Sequence, residues 1–383
     1  RAGGMKRISP SRGWWISMRK ITGRFETGTT KEMENLMGCM SLVLHIGTEK
    51  TGTTFLQNWL YNNRQALSEN GIFLSDRLQK PNNRKLVGYF IPQLDDWLRT
   101  QKVTTKDQWA KFFEGFLEGF EAELRGAEID HHTMIITSEH FHSRLRSSEE
   151  MKRLKNFLDR NFATVTILCY FREQSQMAKS AYSTTVRVAS TATFGEFLEK
   201  VSPENYYFNF LEIGRSWSGL FGRENCDFRI YDRTRFPEND LRLDFLTCLP
   251  QPPERSSLSF DHTSANESLS VVEAALYRLI NEHEPRFNPN GGGVNPRNRK
   301  LKQAVSRCES LKLGEIDMPQ LKKVFDRFEE SNAEFFEEFF NGVFLFQRPH
   351  TSASSSRIAK IDVRDFTHDL ENFFEKVMIT LQE

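Results

Sequence analysis

The stretch Leu42-Val43-Leu44-His45-Ile46-Gly47-Thr48-Glu49-Lys50-Thr51-Gly52-Thr53-Thr54 decides the fold. Its first five residues form a nearly continuous apolar run, the pattern of a strand buried on both faces of a parallel sheet. Beyond the loop, Leu56, Trp59, Leu60, Asn63 and Leu67 recur at helical spacing, and Gly71 reads as the stop. A loop that leaves a parallel strand and opens a helix presents unpaired backbone N–H groups and the positive end of the helix dipole. That arrangement is a cradle for phosphate. Gly47 and Gly52 let the backbone turn tightly and approach an anion, and Lys50 adds a mobile positive charge. The hydroxyls of Thr51, Thr53 and Thr54 can donate further bonds. The plainer alternative is a connecting loop that holds no ligand.

The rest of the chain repeats this alternation. Residues 72–74, 133–137, 164–171 and 226–231 read as further strands. Helical patterns fall at 109–124, 151–162, 173–188 and 207–221. Strands alternating with helices predict an α/β fold, with a parallel central sheet of about five strands flanked by helices. After residue 231 the strand signals stop, and 269–284, 321–340 and 363–381 read as helices. Residues 40–235 are therefore expected to form the core, and 258–383 a helical C-terminal addition, cap or subdomain. Residues 250–257 and 288–299 read as loops, the second carrying Gly291-Gly292-Gly293. Phe335, Phe336, Phe339 and Phe340 crowd one late helix. Core packing is the expected role for them, ahead of an apolar groove for a lipid-linked substrate.

Charge and cysteines exclude several classes. Lysine plus arginine is 52 against 51 acidic residues, which argues against a protein that coats nucleic-acid phosphates. No window approaches the roughly 18 unbroken apolar residues of a membrane span. Cys39, Cys169, Cys226, Cys248 and Cys308 are scattered and form no C-x-x-C pair. They argue against a disulfide scaffold or a structural zinc site, and they fit a reducing, cytoplasmic setting. Residues 1–39 carry eight basic and three acidic side chains without clear periodicity. They are expected to be an upstream leader foreign to the native domain, in preference to a disordered basic tail or a membrane-surface arm, with the domain starting at Met40.

The phosphate loop departs from the nucleoside-triphosphatase pattern G-x-x-x-x-G-K-[ST]. Thr53 follows Gly52, and Lys50 lies two residues before that glycine. The third strand ends in Thr137-Ser138-Glu139 rather than in a metal-holding aspartate. The loop Lys50-Thr51-Gly52-Thr53-Thr54 instead resembles the P-K-[ST]-G-[ST]-T loop of the sulfotransferases that use 3′-phosphoadenosine 5′-phosphosulfate (PAPS), a family with a P-loop NTPase-like fold. Glu49 stands where that family often has proline. A second motif of the family is a strand ending in arginine, with a serine eight residues on. Here it is Ile167 through Phe171, then Arg172 and Ser180. Arg172-Glu173-Gln174 followed by Ser180-Ala181-Tyr182 is closer to bacterial carbohydrate-type members than to cytosolic small-molecule ones. Order and spacing match over about residues 42–231.

The resemblance implies roles by position. Thr51, Gly52, Thr53 and Thr54 would bind the 5′-phosphosulfate, and Phe55 would stack on the adenine. Arg172 and Ser180 would bind the 3′-phosphate. Lys50 would stabilise charge on the bridging and leaving oxygens, with no metal required. The general base falls in Ser138-Glu139-His140-Phe141-His142, with Glu139 first, His140 second and His142 third. If the strand continues, alternation puts Glu139 and His140 on opposite sides. His140 and His142 could also ligate zinc, but no third ligand has recognisable spacing. Arg297, Arg299 and Lys300 follow the triple glycine and are expected on a mobile loop. The implied reaction is sulfuryl transfer to a hydroxyl, on a carbohydrate or glycoconjugate acceptor. The competing readings are a small-molecule P-loop kinase and a non-catalytic nucleotide-binding protein.

Overall fold

The computed structural model describes residues 40–349, apart from 92, 262–267, 288–292, 309–310 and 312–317. Five strands form one parallel sheet: β1 (Ser41–Gly47), β2 (Ile72–Phe73), β3 (Thr133–Thr137), β4 (Thr164–Phe171) and β5 (Cys226–Ile230). Their order is β2-β3-β1-β4-β5. The chain leaves β1 for the edge at β2, returns to β3, and then crosses β1 to reach β4. Strand order thus reverses at the C-terminal end of β1, where open parallel sheets bind ligands. The helices that build this end are α1 (Thr53–Asn62), α2 (Arg84–Phe90), α3 (His140–Arg144) and α4 (Gln174–Val188). Behind the sheet lie α5 (Phe210–Phe221) and α6 (Glu329–Phe340).

The apolar run of β1 is buried on both faces, as its composition requires. Leu42, Leu44 and Ile46 enter a core with Phe120, Phe157, Trp217 and Phe335. Val43, one residue out of phase, packs on the opposite face with Leu56, Trp59, Ile135 and Phe245. β4 divides in the same way, with Phe171 on the first face and Tyr170 on the second. The phenylalanines of α6 are packing residues: Phe335 meets Phe171 at 4.9 Å and Phe339 meets Phe228 at 5.2 Å between ring centroids. This late helix therefore closes one face of the sheet and shares its core.

Several boundaries differ from the sequence reading for local reasons. The helix expected at 109–124 breaks at Gly115, whose φ of +63° is left-handed. The helix expected from 151 starts at Ser148, because Ser147 and Glu150 form a capping box. The long helix at 321–340 divides into Met318–Arg327 and α6, with Phe328 outside helical geometry between them. The segment after the triple glycine is not a loop throughout. Asn295 caps, and Pro296 opens, a helix over Pro296–Ser306, so Arg297, Arg299 and Lys300 stand on a helix. The 363–381 segment lies outside the described residues.

Phe335 anchors α6 in the shared core, so Phe335→Ala should cost about 3–5 kcal/mol. Urea denaturation should show one transition, shifted to lower denaturant. Two separate transitions in the unsubstituted chain would show that α6 belongs to a detachable unit.

Candidate functional site

The loop after β1 is fastened through its carbonyls and its earliest donors. The N–H and hydroxyl of Thr48 both donate to the Tyr170 carbonyl, at 2.8 and 3.1 Å. The Thr51 hydroxyl donates to the Thr48 carbonyl at 2.6 Å. Arg172, at the end of β4, donates from Nη1 to the Lys50 carbonyl at 3.0 Å. The N–H of Glu49 donates to Nδ1 of His142 at 3.3 Å. By contrast, the N–H groups from Lys50 to Phe55 have no hydrogen-bond partner among the described residues, and no side chain caps α1. Free donors at a helix N-terminus form an anion site.

Two glycines make this shape attainable. Gly47 has φ +116°, and a Cβ there would lie 3.2 Å from Cα of Glu139. Gly52 has φ +75°, and its Cβ would lie 2.9 Å from Leu241 Cδ2. The first brings the loop against the segment after β3, and the second seats the start of α1 against the residues after β5.

Lys50 and Arg172, read from separate motifs, meet across this loop. The Lys50 ammonium donates to Thr184 Oγ1 at 2.7 Å. Burial lowers its pKa, the Glu49 carboxylate opposes that, and Arg187 and Arg172 add to the lowering. Burial also lowers the Arg172 pKa, and its guanidinium lies 5.7 Å from the Tyr231 ring centre. Ser180 is half-buried on α4 one turn before Thr184, so the two share the helix side that Lys50 touches. Thr53 is buried and Thr54 exposed at the start of α1. Phe55 is half-buried, with the Arg242 guanidinium 5.0 Å from its ring centre; Phe260 lies 4.8 Å from the same guanidinium.

The other side of the loop is acidic. β3 ends at Thr137, and Glu139 has helical backbone just before α3, so strand alternation does not separate Glu139 from His140. Gln57, on α1, donates to Glu139 Oε2 at 2.7 Å. Burial raises the Glu139 pKa. Burial also pushes the Glu49 carboxyl up, but His140, Ser143, His142 and Tyr207 together carry it below its ordinary value. The Tyr207 hydroxyl donates to Glu49 at 2.9 Å. Two neighbouring carboxyl groups are thus pushed apart, one toward the ionised form and one toward the protonated form.

Burial disfavours the charged form of both histidines. Burial takes His140 down to about 3, and its Nδ1 stands 4.0 Å from Glu49 Oε1. Burial takes His142 down to about 4. Since Nδ1 of His142 accepts from the Glu49 N–H, its Nε2 carries the proton and donates to the Tyr207 carbonyl at 2.9 Å. Both nitrogens of His142 are spent on backbone, which leaves none for zinc. Sequence reasoning missed Glu49, Gln57, Thr184 and Tyr207. Thr184 was within reach, four residues after Ser180 on a helix; Tyr207 had no local signal.

No family model matches this chain, and no solved structure matches it. An uncharacterized protein of Archaeoglobus fulgidus is 29% identical over 213 residues, covering 54% of each chain. The chain thus spans about half the length of that relative. No helix among the described residues is long and apolar enough to cross a membrane.

The raised pKa of Glu139 fixes the sign of a stability effect. The folded chain holds this proton more tightly than the unfolded chain does. Its contribution is full below the unfolded value, about 4.3, and is lost as pH rises through the folded value. Glu139→Gln should therefore raise the melting temperature at pH 7, and the gain should shrink as pH falls to about 4. Thermal unfolding at the two pH values checks this.

Proposed function

We propose that the chain is a PAPS-dependent sulfotransferase that moves a sulfuryl group to a hydroxyl, on a carbohydrate or glycoconjugate. The observation that carries the reading is the meeting of two distant motifs: Arg172 bonds the carbonyl of Lys50, beside the uncapped start of α1. The residues fit the donor they would receive. Free N–H groups from Lys50 to Phe55 suit the 5′-phosphosulfate. Arg172 and Ser180 suit the 3′-phosphate, and Phe55 the adenine face.

In this reaction the acceptor oxygen bonds to sulfur as the bond from sulfur to the 5′-phosphate oxygen breaks. The acceptor proton goes to a base, and 3′-phosphoadenosine 5′-phosphate leaves. Positioning and charge stabilisation supply most of the acceleration. Lys50 neutralises charge growing on the bridging oxygen, after its ammonium leaves Thr184. Glu139 takes the proton, with Gln57 fixing its carboxyl group. Its raised pKa makes it a stronger base than His140, which burial holds at about 3. No metal has a part in these steps.

Calorimetry with 3′-phosphoadenosine 5′-phosphate is the first test: binding is expected, and its absence would sink the reading. Lys50→Ala should cut transfer about 10²–10³-fold in a chain that still folds. Arg172→Ala should weaken the 3′-phosphorylated nucleotide more than its 3′-dephosphorylated counterpart. Transfer should fall as acid protonates Glu139, and Glu139→Gln should lower the rate about 10²–10⁴-fold. Magnesium-dependent ATP turnover with no sulfuryl transfer would favour the kinase instead.

A further inference from the structure

Residues 278–307 carry seven basic and two acidic side chains, although the whole chain is near balance. The two carboxylates are Glu282 and Glu284, and Glu284 pairs with Arg297 at 2.9 Å. The run Arg297-Asn298-Arg299-Lys300-Leu301-Lys302 has the cation density of a polyanion-binding patch. It stands on the helix Pro296–Ser306, which contains no carboxylate, and the proposed chemistry uses none of it.

This helix is seated by one face. Asn298, Leu301 and Lys302 are buried, and Leu301 packs with Tyr277 and Ile280 of the helix Val271–His283. The Tyr277 hydroxyl donates to the Lys302 carbonyl at 2.9 Å, and the Asn298 amide donates to the Glu284 carbonyl at 2.6 Å. Arg299, Lys300 and Arg307 are exposed, and none of them enters an ion pair among the described residues. At 1.5 Å per residue, Arg299 and Arg307 stand about 12 Å apart along the axis. Lys302 turns inward, and its ammonium donates to the carbonyl of Arg187 at 2.9 Å. Arg187 is exposed on α4, three residues past Thr184, and its charge lowers the pKa of Lys50. The basic helix is therefore bonded to the element that Lys50 touches, through a residue whose own charge Lys50 feels.

We propose that the exposed side of this helix docks an anionic polysaccharide, a chain bearing carboxylate or sulfate groups along its length. This rests on the sulfotransferase reading and adds the charge class of the acceptor. Cations spread over about 12 Å on a fixed helix suit repeated negative charges rather than one small anion. Arginine and lysine donate to carboxylate and sulfate oxygens alike. A membrane surface fits less well, because insertion needs an open apolar face and Leu301 and Val305 spend theirs on the neighbouring helices. Nucleic acid fits less well, because the chain as a whole has a formal charge of only +1.

The test measures polysaccharide binding apart from the nucleotide. The full chain, without donor, is titrated with polygalacturonate, heparin and neutral dextran at about 0.15 M salt. Binding to polygalacturonate or heparin is expected, and none to dextran; the two anionic polymers separate carboxylate from sulfate recognition. The triple variant Arg299→Gln, Lys300→Gln, Arg307→Gln should weaken binding about tenfold, the worth of three exposed charge pairs. A control triple, Arg125→Gln, Lys152→Gln, Arg160→Gln, removes the same charge from exposed positions on the helices before β3 and β4. It should change the affinity less than about twofold. Both triples should hold 3′-phosphoadenosine 5′-phosphate within about twofold of the parent. Equal losses from the two triples would show attraction to net charge alone and overturn the proposal. Equal binding to dextran, no binding to either anionic polymer, or tighter binding to duplex DNA or phosphatidylserine vesicles would overturn it too. Failure of nucleotide binding with intact polysaccharide binding would overturn the sulfotransferase reading and leave the docking surface standing.

Discussion

Arg172 donates to the carbonyl oxygen of Lys50 across 3.0 Å, and Lys50 itself has left-handed backbone at φ +70°. A lysine gives up conformational comfort to stand there. With its carbonyl turned back to β4 and its ammonium reaching α4, the residue binds three elements at once. Thr48 and Thr51 complete the inward set of bonds. The carbonyls of Thr48 and Lys50 are thus spent on the scaffold, while the N–H groups that follow have no partner among the described residues. Any anion held at this end of β1 depends on that division of labour.

The same loop separates two electrostatic environments. Lys50 and Arg172 lie toward α4 and β5, while Glu49 and Glu139 lie toward α3. Burial acts on all of them, but with opposite consequences for cations and carboxyl groups. It weakens the hold of Lys50 on its proton and strengthens that of Glu139. Both groups therefore move toward neutrality. The formal net charge of +1 conceals this arrangement.

The sheet was legible because its signals are local. An apolar run bounded by polar residues marks a buried strand, and 133–137 and 164–171 coincide with β3 and β4. The tight turn after β1 was legible for the same reason, through Gly47 and Gly52. Helix ends were less so: Gly115 breaks one helix through a left-handed turn, and the helix start at Asn295-Pro296 is hidden behind the loop signal of the triple glycine. The partners of the site were least legible. Tyr207 reaches Glu49 across 158 positions and Lys50 reaches Thr184 across 134, contacts that only the topology creates. Glu49 drew notice only as a departure from proline, yet it gathers Tyr207 and His140 around the loop.

The seat of α6 against Phe171 and Phe228 has a consequence for how the chain is made. About 100 residues separate β5 from α6, and a ribosome adds about 5–20 residues per second. For roughly 5–20 s, all five strands are available while one face of their sheet lacks its final cover. During that interval the aromatic floor formed by Phe171, Phe210 and Phe228 is open to other nascent chains. Chaperone demand during translation is therefore set by a helix far in sequence from the loop after β1, and the emergence of α6 ends it.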